Sequence, residues 1–312
     1  MISSQSEARS NAGVLWNNDL IGSSCDLELM TPAGRLCGLR WGTPGNTPVL
    51  ALHGWLDNAA SFARLGPLLE SSDVVAIDLP GHGWSDHRPP DSRYHFVDYM
   101  PTVLDAMTAL GWPSCVLLGH SLGAAIATFT AVVEPNRVQG IFLIDGLGPQ
   151  SETPREAPGR LQRSIREFNE AGAKVGPEYP DLNQMIDARR RVGRVSKTGA
   201  ALLIARNTLR GEHGYRWRTD PRLRLPSPQY MSEEQILAYL EQVNVPAFLV
   251  MAHDGLLYGR ETTKNRVAIL PELMVEELSG GHHVHLDDPE SIARLVHEFL
   301  GRMITGWKPT ID

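Results

Sequence analysis

Apolar and polar positions follow two rhythms along the chain. Short apolar runs bounded by turn residues recur at CDLELM (25–30), GRLCGLRW (34–41), PVLALH (48–53), DVVAID (73–78), CVLLG (115–119), VQGIFLID (138–145), PAFLVMA (246–252) and LMVEEL (273–278). Between them lie stretches with helical spacing, roughly 60–70, 93–110, 122–134, 260–270 and 289–303. Eight short buried strands joined by helices predict an α/β fold, with a mostly parallel sheet covered on both faces. One interval breaks the rhythm. From Asp145 to Pro246 the chain shows little strand character, is rich in Arg, Pro and Glu, and is far longer than a crossover requires. It predicts a helical cap at 148–245, inserted after the sixth strand and closed by the extended segment RWRTDPRLRLPSP (216–228). Residues 1–147 and 246–312 would then form the core domain.

Composition narrows the function classes. The 312 residues are 42% hydrophobic and 21% charged, a globular balance, and the net charge is −7. With no basic surplus to displace counterions, nucleic acid is not expected as a partner. The basic cluster Arg189, Arg190, Arg191 and Arg194 reads as a solvated helix face. Cys25, Cys37 and Cys115 are odd in number and far apart, so neither a disulfide framework nor a zinc site is suggested. The first fifteen residues lack the layout of a signal peptide, and no apolar stretch reaches the length of a membrane span. The expectation is a cytoplasmic protein, compatible with a homodimer, acting on a small molecule without a cofactor or metal.

The chemistry centres on VLLGHSLGAAIA (116–127). An apolar strand ends at Gly119, a serine follows between two glycines, and a helix begins at Leu122. Strand, tight turn and helix are the setting in which G-x-S-x-G lifts a serine clear of a sheet as a nucleophile. The helix N-terminus then directs unpaired N–H groups toward developing negative charge.

The motifs HGWLDN (53–58), DLPGHGWSD (78–86), GHSLG (119–123), LIDGLGP (143–149) and GGHHVHLDDPE (280–290) resemble those of the α/β-hydrolase superfamily, most closely the serine-hydrolase-like proteins. The resemblance covers nearly the whole chain. It implies a Ser-His-Asp triad, with Ser121 as nucleophile, an acyl-enzyme intermediate, and a lid between the sixth and seventh strands. The oxyanion would be held by the backbone amides of Leu122 and of Trp55 in the H-G-x turn. His53 reads as a brace for that turn, and the Trp55 ring either lines the pocket or packs in the interior. Matched to the family's G-H-x-x-H pattern, His282 is the base, His285 packs, and Pro289 opens the last helix. A metal site at His282, His283 and His285 is disfavoured, because neighbours in an extended loop point different ways. His82, His87, His95, His120, His213, His253 and His297 read as loop or surface residues. Asp78 and Asp86 read as structural, the latter bonding backbone amides.

Two carboxylates compete to orient His282. Asp254 in FLVMAHDGLL follows the seventh strand, the usual slot, but Met251 stands where a glycine is common. Asp145 ends the sixth strand, a slot that some members of the fold use. A carboxylate closing an apolar strand needs a strong donor, which weights Asp145 over Asp254 without removing either. The implied activity is hydrolysis of carboxylic esters with small to medium acyl groups. Alternatives are carbon–carbon bond hydrolysis of the meta-cleavage type, which needs a cation such as Arg218 or Arg210 for a substrate carboxylate, and ligand binding without turnover. Tyr215, Trp217 and Leu202 either face substrate or pack on the underside of the cap, and packing is the favoured expectation.

Overall fold

The computed structural model describes residues 25–171, 176–193, 195–270 and 272–306. The N-terminal stretch read for a signal sequence, and Arg194 of the basic cluster, lie outside these residues. The eight runs form strands β1 (Cys25–Thr31), β2 (Gly34–Gly42), β3 (Thr47–Leu52), β4 (Ser72–Ile77), β5 (Cys115–His120) and β6 (Val138–Ile144), and, after the insertion, β9 (Ala247–Asp254) and β10 (Leu273–Gly281). They make one sheet in the order β1-β2-β4-β3-β5-β6-β9-β10. The strand β2 runs antiparallel to both of its neighbours, and every other pairing is parallel.

Alternation along the strands splits the core in two. On one face Val49, Ala51, Val116, Leu118, Phe142 and Ile144 meet Phe62 and the C-terminal helix. On the other, Leu50, Leu52, Leu117, Ile141 and Leu143 meet the helices that follow β4 and β5. Both faces are covered, so the central strands read as continuous apolar runs and not as half-polar ones. Helices α1 (Tyr99–Ala109) and α2 (Leu122–Val133) belong to the second layer. The stretch expected as a helix over 60–70 instead forms two short 3-10 turns, Ala59–Phe62 and Gly66–Leu68. Gly66-Pro67 cannot continue a helix from the turn before it, because proline lacks the N–H and clashes with the preceding turn.

Residues 146–246 hold four helices among the described residues: α3 (Ala157–Ala171), α4 (Leu182–Gly193), α5 (Lys197–Arg206) and α6 (Glu233–Leu240). A capping box of Ser232 and Gln235 starts α6. The segment also contains a hairpin of β7 (Thr208–Arg210) and β8 (Tyr215–Trp217), strands the sequence pattern does not predict because each has three residues. The stretch 216–228, expected to be extended, starts in β8 and turns at Pro221–Arg224 into a 3-10 helix. After β9 come α7 (Glu261–Ala268), α8 (Val284–Asp287) and α9 (Pro289–Thr305). The last is capped by the Asp288 carboxylate and has Pro289 in its first turn. No helix among the described residues is long and apolar enough to cross a membrane.

Candidate active site

The strand β5 ends at His120, and the next residue carries the strain of the bend. Ser121 has φ 53° and ψ −112°, a conformation that L-residues seldom adopt. It is held by its own N–H donating to the Ile144 carbonyl at 3.0 Å and by its carbonyl accepting from Ala125 N at 3.1 Å. The glycines on either side serve a different need. A Cβ at Gly123 would lie 1.9 Å from the Leu52 carbonyl oxygen, and one at Gly119 would lie 2.5 Å from Ala124 Cα. Thus the strand and helix approach closely through the glycines, while the serine alone takes the unusual backbone.

Asp145 follows β6, beside the strand end that presents Ser121, and also has a left-handed backbone, with φ 44°. Its side chain is buried, and Oδ2 accepts from His282 Nδ1 at 2.6 Å and from the Leu256 N–H at 2.7 Å. Burial pushes the carboxyl up, but the bonds from His282 and Leu256 outweigh it and hold the pKa below the ordinary carboxylate value. With Nδ1–H directed at Asp145, the ring tautomer leaves the Nε2 lone pair of His282 as its basic position. Asp254, by contrast, is an exposed residue closing β9, paired in register with Gly281. The loop after β9 therefore reaches the Asp145 carboxylate through a backbone amide, Leu256 N–H. No side-chain signal announces that contact in the sequence.

Leu122 opens α2, so its amide has no partner within the helix. Trp55 lies in the turn closed by Asp57 N–H to the Gly54 carbonyl at 3.1 Å, next to Leu56, whose φ is 62°. Its ring is not an interior packing residue: it is 48% exposed, and Nε1–H donates to the Leu223 carbonyl of the inserted segment at 3.0 Å. His53 is fully buried and spans the turn, with Nδ1–H to the Gly54 carbonyl at 2.7 Å and Nε2 accepting from Leu79 N–H at 3.0 Å.

Comparisons with known proteins bear on the fold and the family. A family model described as alpha/beta hydrolase fold matches residues 47–177. A serine hydrolase-like protein of Danio rerio is 31% identical over 293 residues, which cover 89% of each chain. The chain belongs to the α/β-hydrolase superfamily. The structure of a hypothetical protein from Pseudomonas aeruginosa PAO1 matches with 38% identity and a TM-score of 0.85, over 89% of this chain and 99% of that one. A thioesterase domain from the curacin biosynthetic pathway matches with 25% identity and a TM-score of 0.78, over 88% and 100%. Fold and relatives together place the protein among the hydrolases.

Several expectations about this α/β-hydrolase need correction. His82 lies in a loop as expected but is completely buried, and His120 closes β5 and is completely buried as well. His82 Nε2 accepts from Leu56 N–H at 3.3 Å, and burial lowers its pKa to about 3. His120 Nε2–H donates to the His282 carbonyl at 2.9 Å. Burial, aided by neighbouring histidines, lowers the His120 pKa to about 4 against the pull of Asp57. Nor is Arg189 on a solvated face, although Arg190 and Arg191 are exposed. Arg189 is buried and ion-paired to Asp57. The sequence offered a signal for this second cluster, because Asp57 sits inside the HGWLDN motif, but its partner is remote in the chain.

Asp57, His120 and His283 present ligand atoms within 4.8 Å of one another. The Arg189 guanidinium already supplies the positive charge at that carboxylate, so the cluster has the character of an ion pair flanked by imidazoles. His285 packs its ring against His120 without contributing one of these ligand atoms, and bonds Ser61 Oγ at 2.8 Å. Asp78 accepts from the Ala59 and Trp84 amides and from Arg206, and Asp86 accepts from the Arg35 amide.

Proposed function

We propose that this hydrolase cleaves carboxylic esters of small to medium acyl groups, with Ser121 as nucleophile, His282 as general base and Asp145 as the acid that orients it. The observation that carries the reading is the 2.6 Å bond between His282 Nδ1 and Asp145 Oδ2 at the end of the strand beside Ser121. That bond supports Asp145 over the exposed Asp254. In the first half-reaction His282 Nε2 takes the Ser121 hydroxyl proton as Oγ attacks the acyl carbon. The amides of Leu122 and Trp55 hold the oxyanion, and the proton passes to the departing alcohol. In the second half-reaction water attacks the acyl-serine by the same route, releasing the acid. Residues 148–245 act as a cap over this site. Trp55 bonded to Leu223, and Arg189 and Arg206 paired to core aspartates, support that role.

The thioesterase domain among its structural neighbours supports acyl transfer as the chemistry. Carbon–carbon hydrolysis needs a cation for the substrate carboxylate. Arg218 instead stacks on the Trp84 ring at 3.8 Å and donates to the Gly83 carbonyl at 2.9 Å, while Arg210 is exposed.

Fluorophosphonate labelling tests the nucleophile. The parent is expected to label and Ser121→Ala to stay unlabelled; equal labelling of the two removes Ser121 from the reaction. On a p-nitrophenyl ester of a short acid, Asp145→Asn is expected to lower kcat by about 10⁴-fold, the cost of losing the correct histidine tautomer. The loss in Asp254→Asn should be far smaller, and equal or reversed losses overturn the choice of acid.

A further inference from the structure

Behind His282 lies a second set of buried polar groups that the triad does not use. The Asp57 carboxylate comes from the turn after β3 and is 1% exposed. It is ion-paired to Arg189 of α4, and His283 Nε2 stands 3.2 Å from its Oδ2 and 3.4 Å from Arg189 Nη2. His120, at the end of β5, turns Nδ1 toward the same Oδ2 at 3.5 Å, too long for a full hydrogen bond. Its Nδ1 has no other partner among the described residues. The other edge of the His120 ring donates to the His282 backbone carbonyl, and the two rings lie 4.6 Å apart. His285 closes the remaining side of His120, with ring centroids 4.2 Å apart. A carboxylate buried this deeply requires a positive partner. The permanently charged partner is the guanidinium of Arg189; the imidazoles of His283, at hydrogen-bond distance, and His120 stand beside it.

We infer that Arg189 is a positioning residue: by holding Asp57 it keeps the His120 ring uncharged, so that His282 takes up its catalytic proton beside a neutral neighbour. The inference rests on the assignment of His282 as the base. With Arg189 in place, Asp57 is already matched, and His120 serves only to hold the His282 carbonyl. Without it, His120 gains a proton at Nδ1 and donates it to Asp57. A positive ring then stands beside His282, and the imidazolium that must form there in the transition state is disfavoured by like-charge repulsion.

Histidine ring NMR of the full chain, with Arg189→Met and Arg189→Lys, reads this directly and does not depend on turnover. In the parent and in Arg189→Lys the His120 signals are expected to stay neutral from pH 8 to pH 5.5; in Arg189→Met they titrate within that range. In kinetics, Arg189→Met is expected to show an added acid ionisation and, at pH 6, a kcat about tenfold below the parent with little change in KM, the difference closing toward pH 8.5. A second variant guards against misfolding of the first. Asp57→Asn leaves the Arg189 charge unmatched, and the acid limb of kcat/KM should move down by about one pH unit instead of up. A His120 ring that stays neutral in folded Arg189→Met, or an acid limb unmoved in Asp57→Asn, overturns the inference. Fluorophosphonate labelling of the parent at Ser121 keeps the outcomes apart. Its loss breaks the assigned reaction, whereas unchanged NMR with intact labelling breaks only the role of Arg189.

Discussion

Two arginines of the segment between β6 and β9 reach buried aspartates at the carboxyl ends of the sheet, and their surroundings set them apart. Asp78 takes both Ala59 and Trp84 amides as well as the Arg206 guanidinium. These donors keep their protons at any ordinary pH, so the pair is a fixed staple between core and insertion. Asp57 is held by Arg189 and faced by the rings of His283 and His120. Its remaining contacts are groups that can gain or lose a proton. The same residue pair thus gives a rigid joint in one place and a proton-sensitive one beside the proposed base in the other.

The largest expected effect bounds that contrast, because both regions hold buried neutral imidazoles. His82 is held down to about 3 and His120 to about 4, and burial lowers His53 and His285 as well. Their folded pKa values lie below the unfolded value, so the stability they carry is complete above pH 6.5 and is lost as pH falls toward 4. The urea midpoint should therefore drop steeply from pH 7 to pH 4.5; a flat profile would show that these rings are charged in the fold. The next effect separates the two joints. Arg206→Met should cost about 3–5 kcal/mol of stability at both pH 8 and pH 5.5, because Arg206 is the guanidinium hydrogen-bonded to Asp78 and keeps its charge across that range. Arg189→Met should cost a similar amount at pH 8 but less at pH 5.5. There a histidine with a raised folded pKa supplies the missing charge, a contribution present below the unfolded pKa and lost as pH rises. Parallel deficits for both variants would erase the distinction. The smallest effect tests the crowding at Asp57 alone. A Cβ added at Gly54 would stand 2.8 Å from His120 Nδ1 and 3.0 Å from Asp57 Oδ2. Gly54→Ala should cost about 1–3 kcal/mol, measured by urea denaturation, and an unchanged midpoint would show that the cluster has slack.

Where the sequence could be read, burial was the reason. The central strands are apolar on both faces, so VVAI, VLLG and IFLI stand out from their turns, and the strand-turn-helix around Ser121 follows from them. The His282 loop was legible because GGHHVHLDDPE is distinctive. What stayed hidden depends on contacts between distant parts of the chain. Arg189 looks like any arginine of a basic helix until Asp57, 132 positions away, buries it. His120 closes a β strand whose neighbours hide its ring, and no local pattern separates that from an exposed turn. The three-residue strands β7 and β8 are too short to show a period, and they owe their pairing to the turn between them.

Among the described residues, the non-glycine positions with left-handed backbone are Leu56, Ser121 and Asp145, all on the turns that present the site. Such conformations cost on the order of 1–3 kcal/mol each. A glycine at 121 or 145 would relax that strain while deleting the proposed nucleophile or its proposed acid. Random mutation, judged on folding alone, would therefore favour a sturdier and inert descendant of this chain. Under the proposed mechanism, only selection on the reaction would keep a serine and an aspartate where the backbone would rather have none.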